Sequence, residues 1–194
     1  MRFPEVRLSL PAWIEELVEP GTVYPTTEDR MRLVVELSRL NVLHKTGGPF
    51  GAAIFDRDTG ELLAPGVNLV TTGNCSVAHA EIVAIMVAQQ AVGDFDLGGP
   101  GRPHYDLVAS TEPCAMCLGA TPWSGVRGLV TGARGEDAET IGFDEGTKPS
   151  DWVQSLEERG ISVTRDVLRD EAATVLREYA ASEGEIYNSR EEGS

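Results

Sequence analysis

The stretch that decides the fold is 105-YDLVASTEPCAMCLGATPWSGVRGLVTGA-133. It opens on an apolar run, 105–110, that reads as a strand, and it turns at Pro113 into a helix carrying Cys114 and Cys117. Pro113 suits the start of that helix, because its missing N–H would have no partner there. A second apolar run, 126–133, reads as another strand. Upstream, 27-TEDRMRLVVELSRLNVLHK-45 repeats apolar residues at helical spacing through Met31, Val34, Val35, Leu37 and Leu40. The Gly47-Gly48-Pro49 breaker ends it, and 50-FGAAIFD-56 with 61-ELLAPGVNLV-70 predicts two strands joined at Asp58-Thr59-Gly60. The next helix, 77-VAHAEIVAIMVAQQAV-92, has a nearly all-apolar body, as expected of one buried against a sheet. A Gly/Pro-rich loop, 98–103, leads to the deciding stretch. Beyond it, an acidic loop through 141–146, within a stretch acidic from residue 136, precedes a helix over 151–159, a strand over 161–168 and a helix over 170–183. Strands alternating with helices after an initial hairpin predict an α/β fold, a three-layer α/β/α sandwich with a mixed sheet of about five strands. Residues 27–183 form this domain, residues 1–26 an irregular extension packed on it, and residues 184–194 a polar C-terminal tail.

The 194 residues, 41% hydrophobic and 24% charged, suit one globular domain. Three cysteines cannot all pair, and the start lacks a basic head followed by a long apolar run, so a cytoplasmic protein is expected. No apolar stretch approaches the roughly 20 residues that span a bilayer. With 16 Lys+Arg against 31 Asp+Glu, the formal charge of −15 repels phosphate backbones and anionic lipids, which argues against nucleic-acid and membrane partners. Small neutral or cationic molecules fit better.

A C-x-x-C pair can be a redox couple, half of a structural zinc clip, or part of a catalytic metal site. The redox reading expects a thioredoxin-like setting near the chain start and leaves His79 and Glu81 unexplained. Cys114 and Cys117, three residues apart on a first helical turn, share a face and can reach one ion. His79 and Glu81 open the earlier helix, and parallel-sheet geometry can bring two helix starts together at the carboxyl ends of neighbouring strands. One His and two thiolates leave a fourth tetrahedral position for water, the catalytic arrangement. Cys75, four residues before His79 but in a polar loop, is a weaker candidate for that position. H-x-E…P-C-x-x-C is the mark of zinc deaminases that act on nucleobases, in which the Glu is not a ligand but moves protons.

With these residues in place, the chain resembles the cytidine deaminase superfamily, and within it the bacterial guanine deaminases and plant guanosine deaminases. The likeness runs over residues 28–146, through 47-GGPFGAAI-54, Asn68 in 66-GVNLVTTGN-74, 78-AHAEIVAI-85, 111-TEPCAMCLGA-120, Trp123 and 141-IGFDE-145. It implies zinc (Zn2+) on His79, Cys114 and Cys117, and Glu81 as the catalytic acid–base. It implies that Asn68 hydrogen-bonds the base, that Phe50 and Trp123 wall it, and that the backbone at Ala80 approaches the oxygen site. Glu145, with Asp144 beside it, matches a second acidic residue of guanine deaminases, suited to the adjacent N–H donors of guanine. Tyr187 matches a C-terminal aromatic that closes over the substrate, and the family's habit of exchanging C-terminal segments implies a homodimer. Phe50 and Trp123 also read as ordinary core residues, 136–146 as an acidic surface loop, and the tail as disordered. The expected reaction is hydrolytic deamination, guanine to xanthine first, with guanosine, cytosine or triazine-type rings as alternatives. Editing of transfer RNA adenosine, or a noncatalytic zinc-binding module, comes behind them.

Overall fold

The computed structural model describes residues 3–188. A short helix, α1 (Trp13–Leu17), lies in the N-terminal extension, and Leu8, Leu10 and Trp13 pack on the core while Val23 bridges to Glu61. Helix α2 (Thr27–Leu43) begins with a capping box: the Asp29 N–H donates to Thr26 Oγ1 at 3.0 Å, and the Thr26 N–H to Asp29 Oδ2 at 3.3 Å. Strands β1 (Gly51–Asp56) and β2 (Leu62–Val67) form an antiparallel hairpin with a bulge at Ile54/Phe55. After the single turn α3 (Val70–Gly73), helix α4 (Ala80–Val92) runs from His79 to Gly93, whose φ of 69° is the left-handed stop that favours glycine. Strand β3 (Tyr105–Thr111), helix α5 (Ala115–Ser124) and strand β4 (Gly128–Ala133) follow, then α6 (Gly135–Thr140), α7 (Trp152–Glu157), β5 (Ser162–Thr164) and α8 (Arg169–Ala181).

The sheet order is β2-β1-β3-β4-β5, antiparallel across β2/β1/β3 and parallel across β3/β4/β5. Both β3 and β4 are buried along their whole length, as strands covered on both faces must be. Alternate side chains go to opposite layers. Ala53, Phe55, Val108 and Val130 pack with α2 and α8, whereas Ala52, Ile54, Leu107 and Leu129 pack with α4, α5 and α7. The predicted three-layer sandwich with a five-stranded mixed sheet is what the chain forms. Helix α4 lies so close to β2 that a Cβ at Gly66 would run into the Ala80 and Ala84 backbone.

Four local expectations change. Strand β2 ends at Val67 rather than at residue 70, and the chain then coils into α3 in place of the expected polar loop; the acidic loop contains α6, where Asp137 Oδ2 accepts from the Arg134 N–H at 2.8 Å and from Arg169 Nε at 3.0 Å. Strand β5 is three residues long, because Asp166 and Leu168 take positive φ and turn the chain into α8. Pro113 does not open α5. It precedes Cys114, which is the N-cap in extended conformation (φ −63°, ψ 171°). Pro122 sits inside α5 near its end.

Candidate active site

The functional residues gather at one end of the sheet, at the carboxyl ends of β2, β3 and β4. Helices α4 and α5 start there, so their N-caps, His79 and Cys114, face one another. His79 Nδ1 lies 3.4 Å from Cys114 Sγ and 3.6 Å from Cys117 Sγ, and all three donor atoms lie within 4.8 Å of one another. A tetrahedral shell with Zn–S of about 2.3 Å and Zn–N of about 2.0–2.1 Å puts its ligand atoms about 3.5–3.8 Å apart, so this donor set fits zinc. Cys75 is outside the cluster, half-buried and free.

The electrostatics of the bare cluster agree with a cation site. The neighbouring Cys117 thiol and His79 together lower the Cys114 pKa to about 4 against the opposing effect of burial. Cys117 is pushed the other way, by the neighbouring Cys114 and by burial. Burial opposes the charged form of His79, yet the Cys114 hydrogen bond and the Glu81 carboxylate raise its pKa. Glu81 is itself raised, first by burial and then by the Cys114 thiolate. A buried carboxyl beside the ligand set is a group able to hold and move a proton.

A cavity of about 170 Å³ opens against this cluster. Phe50, Asn68, Asp144, Glu145 and Tyr187 line it with His79, Glu81 and Cys114, so the structure brings those predicted residues together. Asn68 Oδ1 accepts from the Val70 N–H at 3.2 Å, and since only the oxygen can accept, the amide NH₂ is what Asn68 has to offer a ligand. Glu145 is buried, with Oε2 lacking a hydrogen-bond partner and 3.7 Å from Lys148 Nζ; burial raises its pKa to about 8 against the pull of Lys148. Its backbone carbonyl accepts from the Ala115 N–H at 2.9 Å, which ties the acidic loop to the first turn of α5. Tyr187 belongs to the tail of this same chain. Its ring meets Phe143 edge-on at 5.1 Å, Phe143 meets Phe50 at 4.9 Å, and burial raises the pKa of its phenol, whose oxygen has no partner.

Two predicted residues stand elsewhere. Trp123 is 86% exposed on the outer side of α5, beside a different groove formed with α7, and does not wall the cavity in this chain. Ala80 is buried as the first residue of α4 and is not among the cavity-lining residues. Phe143, Thr111 and Glu112 are among the lining residues that escaped the sequence reading. Phe143 lay within the quoted 141–145 motif. Thr111 has a buried hydroxyl without a partner. Glu112 accepts from the Gly135 N–H at 3.1 Å and from Arg165 Nε at 2.6 Å, bracing the turn before Cys114; its place beside Pro113 was the available signal.

The sequence matches the family model for the cytidine and deoxycytidylate deaminase zinc-binding region over residues 25–133. It is 37% identical over 134 residues to the guanine deaminase of Bacillus subtilis (strain 168), spanning 69% of this chain and 81% of that one. Among solved structures, the guanine deaminase from Nitrosomonas europaea aligns with a TM-score of 0.88 at 48% identity, covering 91% of this chain and 97% of that one. A structure with 2,6-diaminopurine bound aligns with a TM-score of 0.89 at 49% identity, covering 96% and 98%.

Proposed function

The chain belongs to the cytidine and deoxycytidylate deaminase family, and from that premise we propose that it converts guanine and water to xanthine and ammonia. The observation that carries the guanine assignment is the buried Glu145 carboxyl, whose Oε2 lacks a hydrogen-bond partner and which shares one small cavity with Asn68, Glu81 and the zinc-ligand cluster. His79, Cys114 and Cys117 hold the zinc, which when bound supplies an acidified water. Glu81 takes a proton from the attacking water and delivers it to a ring nitrogen as the C–O bond forms at the amino-bearing carbon. It then helps protonate the amino group, the C–N bond breaks, and ammonia leaves. Glu145 accepts from the ring N–H and amino donors, the Asn68 NH₂ donates to an acceptor on the ring, and Phe50 forms an apolar wall. Tyr187 covers the base and keeps water out.

The same reading places the protein in the cytoplasm as a homodimer. No helix among the described residues is long and apolar enough to cross a membrane. The exposed Trp123, over a groove formed with Leu118, Gly119 and Pro122, offers an apolar surface for a second copy.

Ammonia release from guanine, guanosine, adenine, cytosine and cytidine tests the substrate. Guanine should give the highest kcat/KM, and Glu145→Ala should reduce it for guanine far more than for slower substrates, because discrimination by buried polar groups can reach about 10⁴-fold. An equal loss on all substrates, or a better rate on cytosine or guanosine, overturns the guanine assignment.

A further inference from the structure

Asn41 is fully buried near the end of α2, and its amide is saturated with contacts. Its Nδ2 donates to Gly48 O at 2.8 Å and to Asn68 O at 2.9 Å, and its Oδ1 accepts from Thr46 Oγ1 at 2.7 Å. The Thr46 hydroxyl accepts in turn from Trp13 Nε1 at 3.1 Å, and the Trp13 ring stacks on His44 at 5.3 Å. Trp13 belongs to α1, outside residues 25–133 that match the family model.

Of the two carbonyls that Asn41 holds, one belongs to a residue that lines the cavity and the other to a glycine packed against the ring that covers it. Asn68 presents its amide to the base site. Gly48 lies under the Tyr187 ring, so close that a Cβ there would strike the phenol. One buried amide therefore fixes the spacing between the residue that donates to the base and the residue on which the covering ring rests. Thr46 fixes that amide, because an O–H donor to Oδ1 leaves only one orientation in which NH₂ faces both carbonyls.

We infer that Asn41 is a positioning residue for the base, and that the Trp13–Thr46 pair makes the N-terminal extension a determinant of substrate binding. The chemistry stays with Glu81 and the zinc ligands, so the extension acts on how tightly a base is held.

The inference rests on the proposed base deamination, and the test keeps the two apart. Thr46→Val removes the hydroxyl at constant shape, Thr46→Ser restores it, and Trp13→Phe removes only the outermost donor. For each protein the zinc content, Tm, kcat and KM for guanine, and calorimetric Kd for 2,6-diaminopurine are measured. Thr46→Val should raise KM and Kd together by roughly three- to tenfold, the span of one net hydrogen bond, with kcat within about twofold. Thr46→Ser should return both to the parent values, and Trp13→Phe should shift them in the same direction by less. A lower Tm with KM and Kd unchanged in fully folded, zinc-loaded Thr46→Val and Trp13→Phe proteins would reduce the network to a structural one and overturn the inference. If the parent enzyme prefers another base, the guanine assignment fails, and the same comparison made on that base still decides the role of Asn41.

Discussion

Glu81 and Cys117 are both buried at one cluster, yet the proposed chemistry asks opposite things of them. Cys117 would lose its proton to solvent for good so that its thiolate can bind a cation; Glu81 would take up a proton and pass it on in each turnover. Replacing each by its nearest inert counterpart should therefore separate metal from catalysis. Cys117→Ala removes one of three protein ligands and should lose most of its zinc on dialysis, and its activity with it. Glu81→Gln keeps the shape and the hydrogen bonding of the site but cannot carry a proton. It should retain zinc while kcat falls by about 10²–10⁴-fold or more, the usual contribution of a general acid–base group. Full zinc occupancy in the first variant, or near-normal kcat in the second, contradicts the assignment of roles.

At the scale of elements, β3 carries two different jobs at its two ends. Its far end leads through Glu112 to the cysteines. Its near end holds Asp106, buried, which accepts from Arg57 Nε at 2.8 Å and Nη2 at 2.6 Å and lies 3.9 Å from Arg30 Nη1. Arg30 also donates to Tyr24 O and Arg57 O, so one carboxylate joins α2, the β1–β2 turn and β3. Asp106→Ala removes the carboxylate that Arg57 and Arg30 face, leaves Arg57 with Ser162 and Arg30 with its two carbonyls, and should cost about 1.5–3 kcal/mol of unfolding free energy, with zinc content and kcat of the folded enzyme unchanged. A denaturation midpoint equal to that of the parent would show that the cluster contributes nothing. The division between ends also explains what the sequence discloses. Strands β1 to β4 and the long helices α2, α4 and α8 are apolar runs or stripes, and a period can be read from them. Helices α3 and α6, four and six residues long, are too short to show one. Trp123 could have been placed by the period itself: Cys117, Thr121 and Ser124 form the buried stripe of α5, and two residues from Thr121 is the far side of a helix. The candidate metal ligands and Glu81 stand in two short local motifs, 79–81 and 113–117, and so were legible. Asn41 and Thr46 were not, because their partners at 13, 48 and 68 are joined to them only by the tertiary fold.

For the whole molecule, the open question is whose tail closes which cavity. In this chain the tail folds over its own. The Tyr179 hydroxyl donates to Glu185 O at 2.6 Å, Asn188 Nδ2 donates to Gly142 O at 2.7 Å, and the Asp144 N–H donates to Asn188 Oδ1 at 2.9 Å, which seats Tyr187 against Phe143. The segment that bears Glu145 is thus latched by the tail, and removing residues 184–194 should leave zinc binding intact while KM rises about tenfold or more through loss of the wall and the latch. A homodimer would show a solution mass of twice 20.9 kDa. Within such a dimer, the tail-deleted chain and the Glu81→Gln chain are complementary defects. If tails crossed between protomers, a mixed dimer would contain one site with an intact Glu81 covered by the other chain's intact tail, and mixing two poor enzymes would restore activity at low substrate. The intrachain contacts here predict the reverse: mixing after dissociation and reassembly restores nothing, because the chain that keeps Glu81 has no tail of its own to close over it. Recovery of activity in the mixture would overturn the intrachain latch and make each active site the property of two chains.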